Sequence, residues 1–137
     1  MIYAVAIVLT FLQSTGWDLL SNVEMTRKYD DMMGQEIDVP IFSDELSSMH
    51  GETITLTGYV IPLEAGAEQA YFVLSRFPYQ SCFFCGAAGP ETVIEVYPIV
   101  TSTELAPDQR ITVSGKLSLN QKDPMHLFFV LKSAEII

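Results

Sequence analysis

Cys82 and Cys85 lie in the run Tyr79-Gln-Ser-Cys-Phe-Phe-Cys-Gly-Ala-Ala-Gly-Pro-Glu-Thr92. This Cys-x-x-Cys spacing lets two sulfurs converge on one metal ion or close a small disulfide. Three chemistries follow. A structural zinc takes four ligands, mostly Cys and His, so the pair is half a site and the rest must come from distant sequence. His126 is the leading third ligand, Glu91 just past Gly89-Pro90 is a candidate fourth, and Met125 is a softer donor suited to Cu(I). The second chemistry is thiol–disulfide exchange, which favours a cysteine whose pKa is lowered at a helix N-terminus. Here Gly86 and Pro90 fit a turn better than a helix. The third is a structural staple, a disulfide or two buried thiols closing a loop. On the residues alone all three stay open.

Other chemistries have no named residues. No Gly-x-Ser-x-Gly, Walker-type loop or His-Glu-x-x-His occurs, so hydrolase and nucleotide reactions lack their signatures. Seventeen Asp and Glu against seven Lys and Arg give a net charge of −10. Phosphate binding rests on clustered cations, and the seven here are scattered, which excludes a nucleic-acid partner. With 49% hydrophobic and 18% charged residues, the chain can bury a core and is not a disordered segment. Its 137 residues make one domain. His50, at the end of a short helix, reads as a solvated cap suited to the negative dipole end. The pairs Phe83-Phe84 and Phe128-Phe129 read as barrel packing.

The elements that must position the cysteine loop are strands. Residues 17–42 read as an acidic, irregular lead-in closed by Pro40. Ser43 to Gly51 predicts a short helix, capped by Ser43, with Asp44 and Glu45 at its positive end and Gly51 ending it. Beyond it the hydrophobic period changes to two. Strands are expected over Thr53–Ile61, Ala70–Arg76, Thr92–Tyr97, Arg110–Leu119 and from His126 to Leu131, extending towards Ile137. Ile54-Thr-Leu-Thr-Gly-Tyr-Val60 and Ile111-Thr-Val-Ser-Gly-Lys-Leu117 match in register, each with a glycine mid-strand. Such a glycine marks a bend, a bulge or a close backbone approach, and bends are how a few strands close on themselves.

The fold class is therefore all-β with small α content, a five-stranded barrel that resembles the OB-fold over residues 52–137. In that fold the third and fifth strands run parallel as neighbours, so their starting ends share a rim. Cys85 precedes the third strand and His126 opens the fifth, which brings both to one edge.

Residues 2–12 form an apolar run too short to span a bilayer. It matches the apolar region of a secretory signal, with Ser14 and Gly16 as the small residues of a cleavage site after Gly16. Residues 1–16 are thus read as a signal and the mature chain as periplasmic or otherwise exported, with no membrane span. The alternative is a buried N-terminal strand or helix.

The runs Gly58-Tyr-Val-Ile-Pro-Leu-Glu64, Phe72-Val-Leu74 and Val93-Ile-Glu-Val96, with the cysteine loop between them, resemble the bacterial domain-of-unknown-function family 3299. Ser81-Cys-Phe-Phe-Cys-Gly-Ala-Ala-Gly-Pro-Glu91 is similar to its Bacteroidetes-type form. The similarity spans most of residues 17–137. It implies a small exported protein of OB-like design, and some proteobacterial relatives are associated with ABC-type export machinery and zinc-responsive gene clusters. The resemblance therefore implies metal handling, with zinc or copper the ions that the donor residues suit, and a membrane transporter component as partner. The better-known branch carries Cys-x-His before a proline run, whereas Phe84 stands at the His position here and Cys85 follows it. Only Cys82 carries over; Cys85, Glu91 and His126 rest on the rim geometry. The function expected is that of a non-enzymatic metal-binding accessory or carrier, with thiol–disulfide exchange and a stapled interaction module as alternatives.

Overall fold

A computed structural model describes residues 16–61, 71–79, 88–100 and 105–137. Apart from Gly16, the expected signal lies outside the described residues.

The lead-in is more ordered than expected. A short helix α1 (Gly16–Leu20) is followed by β1 (Val23–Asp30) and β2 (Gln35–Phe42), which pair as an antiparallel hairpin. The hairpin has a local cause. Ile37, Val39 and Ile41 alternate with Glu36, Asp38 and Pro40, a period of two hidden by acidic residues and a proline that otherwise signal a loop. The turn is fixed by Asp30, whose Oδ1 accepts from the Met33 N–H at 2.8 Å. Gly34 closes it at φ +67°, a left-handed conformation that only glycine adopts without strain. Helix α2 (Asp44–Ser48) starts where expected: Ser43 Oγ accepts from the Leu46 N–H at 3.1 Å.

Five further strands close into a barrel: β3 (Thr53–Ile61), β4 (Phe72–Ser75), β5 (Val93–Pro98), β6 (Arg110–Leu119) and β7 (Phe129–Ile136). Their order around the barrel is β3-β4-β5-β7-β6, with β6 returning to β3. Only the β5–β7 pair is parallel. This is the expected mixed barrel, including the parallel third and fifth strands. The fifth strand begins at Phe129, so His126 stands in the loop before it and does not open it.

Inward positions of every strand fill the barrel, with Leu56, Leu74, Ile94, Val96, Val113, Leu117, Phe129 and Leu131 at 1% exposure or less. Helix α1 adds Trp17 and Leu20 to this core and α2 adds Leu46. The Trp17 indole donates to the Thr57 carbonyl at 2.8 Å, so its one polar atom is satisfied as it is buried. Phe129 packs on Phe42 at the hairpin base, ring centroids 5.8 Å apart. Among the described residues no helix is long and apolar enough to cross a membrane.

Both mid-strand glycines do what their position implies. A Cβ on Gly58 would run into the Ser75 carbonyl and lie 3.0 Å from Leu74 Cγ. One on Gly115 would lie 2.9 Å from both Leu131 Cγ and the Lys132 carbonyl. At that point β7 is bulged: its register shifts between Leu131 and Ala134 against β5 and between Lys132 and Glu135 against β6, and Ser133 takes φ +51°. Gly58→Ala should therefore destabilise the protein by about 1–3 kcal/mol, the usual cost of overpacking, read as a lower urea midpoint with an unchanged slope.

Candidate functional site

The strand β5 is buried on both faces. Ile94 and Val96 point into the barrel, while Val93 joins Ile61, Val73 and Leu127 in a second apolar cluster on the opposite side. Glu95 falls on that second face, level with Val73 of β4 and Val130 of β7. Its side chain is only 7% exposed. A carboxylate in such a setting must be hydrogen-bonded, and three groups converge on it. The Leu127 N–H donates to Oε1 at 3.2 Å, the Tyr97 hydroxyl donates to Oε2 at 3.3 Å, and His126 Nδ1 lies 3.0 Å from Oε2.

The loop that delivers His126 is stitched by Asn120. Its Nδ2 donates to the carbonyls of Asp123, His126 and Leu127 at 2.8, 3.2 and 3.1 Å. Its Oδ1 accepts from the Asp123 N–H at 3.0 Å. Asp123 in turn uses Oδ1 to accept from the Met125 N–H at 2.9 Å, which leaves Oδ2 facing His126 Nε2 at 3.8 Å. The imidazole is thus 45% exposed, backed by a buried carboxylate on one nitrogen and faced by an exposed one on the other. It borders a cavity of about 240 Å³ shared with Tyr97, Ser118, Asn120, Asp123 and Lys132.

Tyr97 lies stacked on Tyr71, centroids 4.9 Å apart. Burial, then the nearby Glu95 charge and Tyr71, push its phenol up from 10.0 to about 12.

The sequence-derived residues fare unevenly. Cys82 and Cys85, like Phe83 and Phe84, lie outside the described residues. His126 stands at the β5–β7 end of the barrel. Glu91 sits in a short 3-10 turn, Pro90–Thr92, with its carboxylate folded back over Gly89. The carboxylate that meets His126 is Glu95, four positions further on. Met125 is 71% exposed. His50 is more than a solvated cap, because its Nδ1 accepts from the Leu119 N–H at 3.1 Å and ties the end of α2 to β6. Among the described residues no group of three or more His, Cys, Asp and Glu could hold a metal ion. His126 Nε2 and Asp123 Oδ2 are two donors near enough for one ion to sit between them after a small closure, given metal–ligand distances of about 2.0–2.2 Å.

No protein-family model matches the chain, and neither does any curated protein. Among solved structures, the crystal structure of a DUF3299 family protein from Pseudomonas aeruginosa PAO1 matches with a TM-score of 0.47 and 16% identity. The match covers 66% of this chain and 64% of that one.

Two outcomes are expected at this site. Glu95→Ala strands the partly buried Leu127 N–H and should cost about 1–3 kcal/mol, whereas His126→Ala at its half-exposed position should cost less than about 1 kcal/mol; paired urea titrations compare them. In an absorbance titration Tyr97 should ionise well above the ordinary tyrosine value of 10.0, at about 12. Its folded pKa lies above the unfolded one, so its stabilising contribution is complete below pH 10 and is lost as pH rises through about 12. Tyr97→Phe should abolish that part of the alkaline loss.

Proposed function

We propose that this chain is an exported, non-enzymatic accessory or carrier protein that binds zinc or a copper ion and serves an ABC-type transporter. The ligands are His126 Nε2, the Asp123 carboxylate and the thiolates of Cys82 and Cys85. The observation that carries the reading is the His126–Glu95 contact. A metal-binding histidine almost always gives its second ring nitrogen to a carboxylate or carbonyl, which fixes the ring and raises its basicity. Here a buried carboxylate holds Nδ1 at 3.0 Å while Nε2 faces a second carboxylate at 3.8 Å.

The donor chemistry agrees. Thiolate with imidazole suits zinc and copper, and carboxylate completes a four-ligand set. The parallel β5–β7 pairing supports the same reading, because the segment entering β5 follows the cysteines in sequence and the segment entering β7 carries His126. Glu91, the fourth ligand expected from sequence, yields that place to Asp123, which faces the ring.

Titrating the purified protein with Zn²⁺ and Cu⁺ against a chromophoric chelator tests this. Wild type should bind one ion, and Cys82→Ser, Cys85→Ser and His126→Ala should each weaken binding strongly. Glu95→Gln, which touches no ion, should weaken it by about 10–100-fold. Negligible binding in wild type and variants alike would sink the reading. Rapid, metal-independent alkylation of Cys82 would then favour thiol–disulfide exchange, and loss of thermal stability in the double Cys→Ser variant would favour a staple.

A further inference from the structure

The β1–β2 hairpin forms a two-stranded sheet, with no third strand beside it among the described residues. Two-stranded ribbons are marginal in water, and an open edge presents unpaired backbone groups to any partner strand. Which groups face outward can be read from the hydrogen-bond phase. The Ser43 N–H donates to the Asn22 carbonyl at 3.2 Å, one step beyond the Val23–Phe42 pair. Hydrogen-bonded and non-hydrogen-bonded pairs alternate along an antiparallel ladder, so even-numbered residues of β1 bond to β2. Pro40 agrees: it has no N–H, stands opposite Met25, and its carbonyl accepts from Gln121 Nε2 on the far side at 3.2 Å. The N–H and C=O groups of Val23, Met25, Arg27 and Tyr29 therefore point away from β2.

We propose that this edge pairs with β1 of a second copy, antiparallel about a two-fold axis through Thr26. The register is singled out by charge and phase together. With Thr26 opposite Thr26, Met25 meets Arg27 and Val23 meets Tyr29 as hydrogen-bonded pairs, using the outward groups. Glu24 then faces Lys28 of the second copy, and Lys28 faces its Glu24, both as the closer non-hydrogen-bonded pairs. Opposite charges and paired threonines directly across a ladder are favourable, and like charges are not. Centring on Arg27 instead keeps the phase but sets Arg27 against Arg27 and Glu24 against Asp30. Centring on Met25 leaves no ion pair. Tyr29 and Met25, 66% and 38% exposed, are covered in the favoured register.

The result is a four-stranded sheet, β2-β1 continued by β1-β2 of the second copy, whose seam uses none of the residues that line the His126 cavity and needs no metal. Sedimentation velocity on the full chain, from micromolar to near-millimolar concentration, tests it. Wild type should reach a dimer. Glu24→Lys and Lys28→Glu should each weaken dimerisation by about tenfold or more, since each removes both ion pairs and creates like-charge contacts. The Glu24→Lys/Lys28→Glu double variant should restore it, with circular dichroism confirming that all variants are folded. A wild type that stays monomeric throughout would overturn the proposal. So would a dimer indifferent to both single variants, or a double variant that fails to recover.

Discussion

A carboxylate withdrawn from water has to be compensated where it sits, and Glu95 imposes that condition on one whole end of this molecule. It stands in a strand whose neighbours on both sides are apolar, at a position that the pleat turns towards Val73 and Val130. Its two oxygens draw in a phenol from its own strand and a backbone N–H and an imidazole from the loop that enters β7. The loop Asn120–Leu127 is held in the one shape that lets this happen by a single asparagine bonded to three carbonyls. The orientation of His126 is thus a consequence of burying a charge in β5.

The barrel was readable because its strands are half-buried and obey a period of two, and because glycine has no reason to stand mid-strand except to admit another chain. Gly58 and Gly115 admit Ser75 and the β7 bulge respectively. The hairpin was not readable, since acidic residues alternating with Ile37, Val39 and Ile41 look like a solvated linker until a partner strand is seen. At the site, His126 was legible as a rim residue. Glu95 left one sign that went unused: it is the sole charge inside Val93-Ile-Glu-Val96, a run otherwise apolar on both faces. Asn120 and Asp123 left none, because their roles come from a loop conformation that no local pattern encodes.

The bulge in β7 shows how few residues shape the closure. Leu131 and Ala134 both face the core although an even spacing separates inward residues elsewhere in the strand, and the extra residue is absorbed by Ser133 in a left-handed conformation. Gly115 leaves the space that this kink needs on β6. A bulge of this kind bends its strand and tightens the local twist, which is what the last strand must do to lie against β5 on one side and β6 on the other.

That closure also orders events in time. The strand β3 finds its second neighbour in β6, the Thr57 and Thr112 hydroxyls meeting across 55 positions at 2.7 Å, and β7 comes later still. Pairings so remote along the chain carry a large entropic cost before any return and slow the approach to the native state. Without β6 and β7 a β3-β4-β5 sheet would have two bare margins, so the cylinder can close only once both of these later strands have been synthesised.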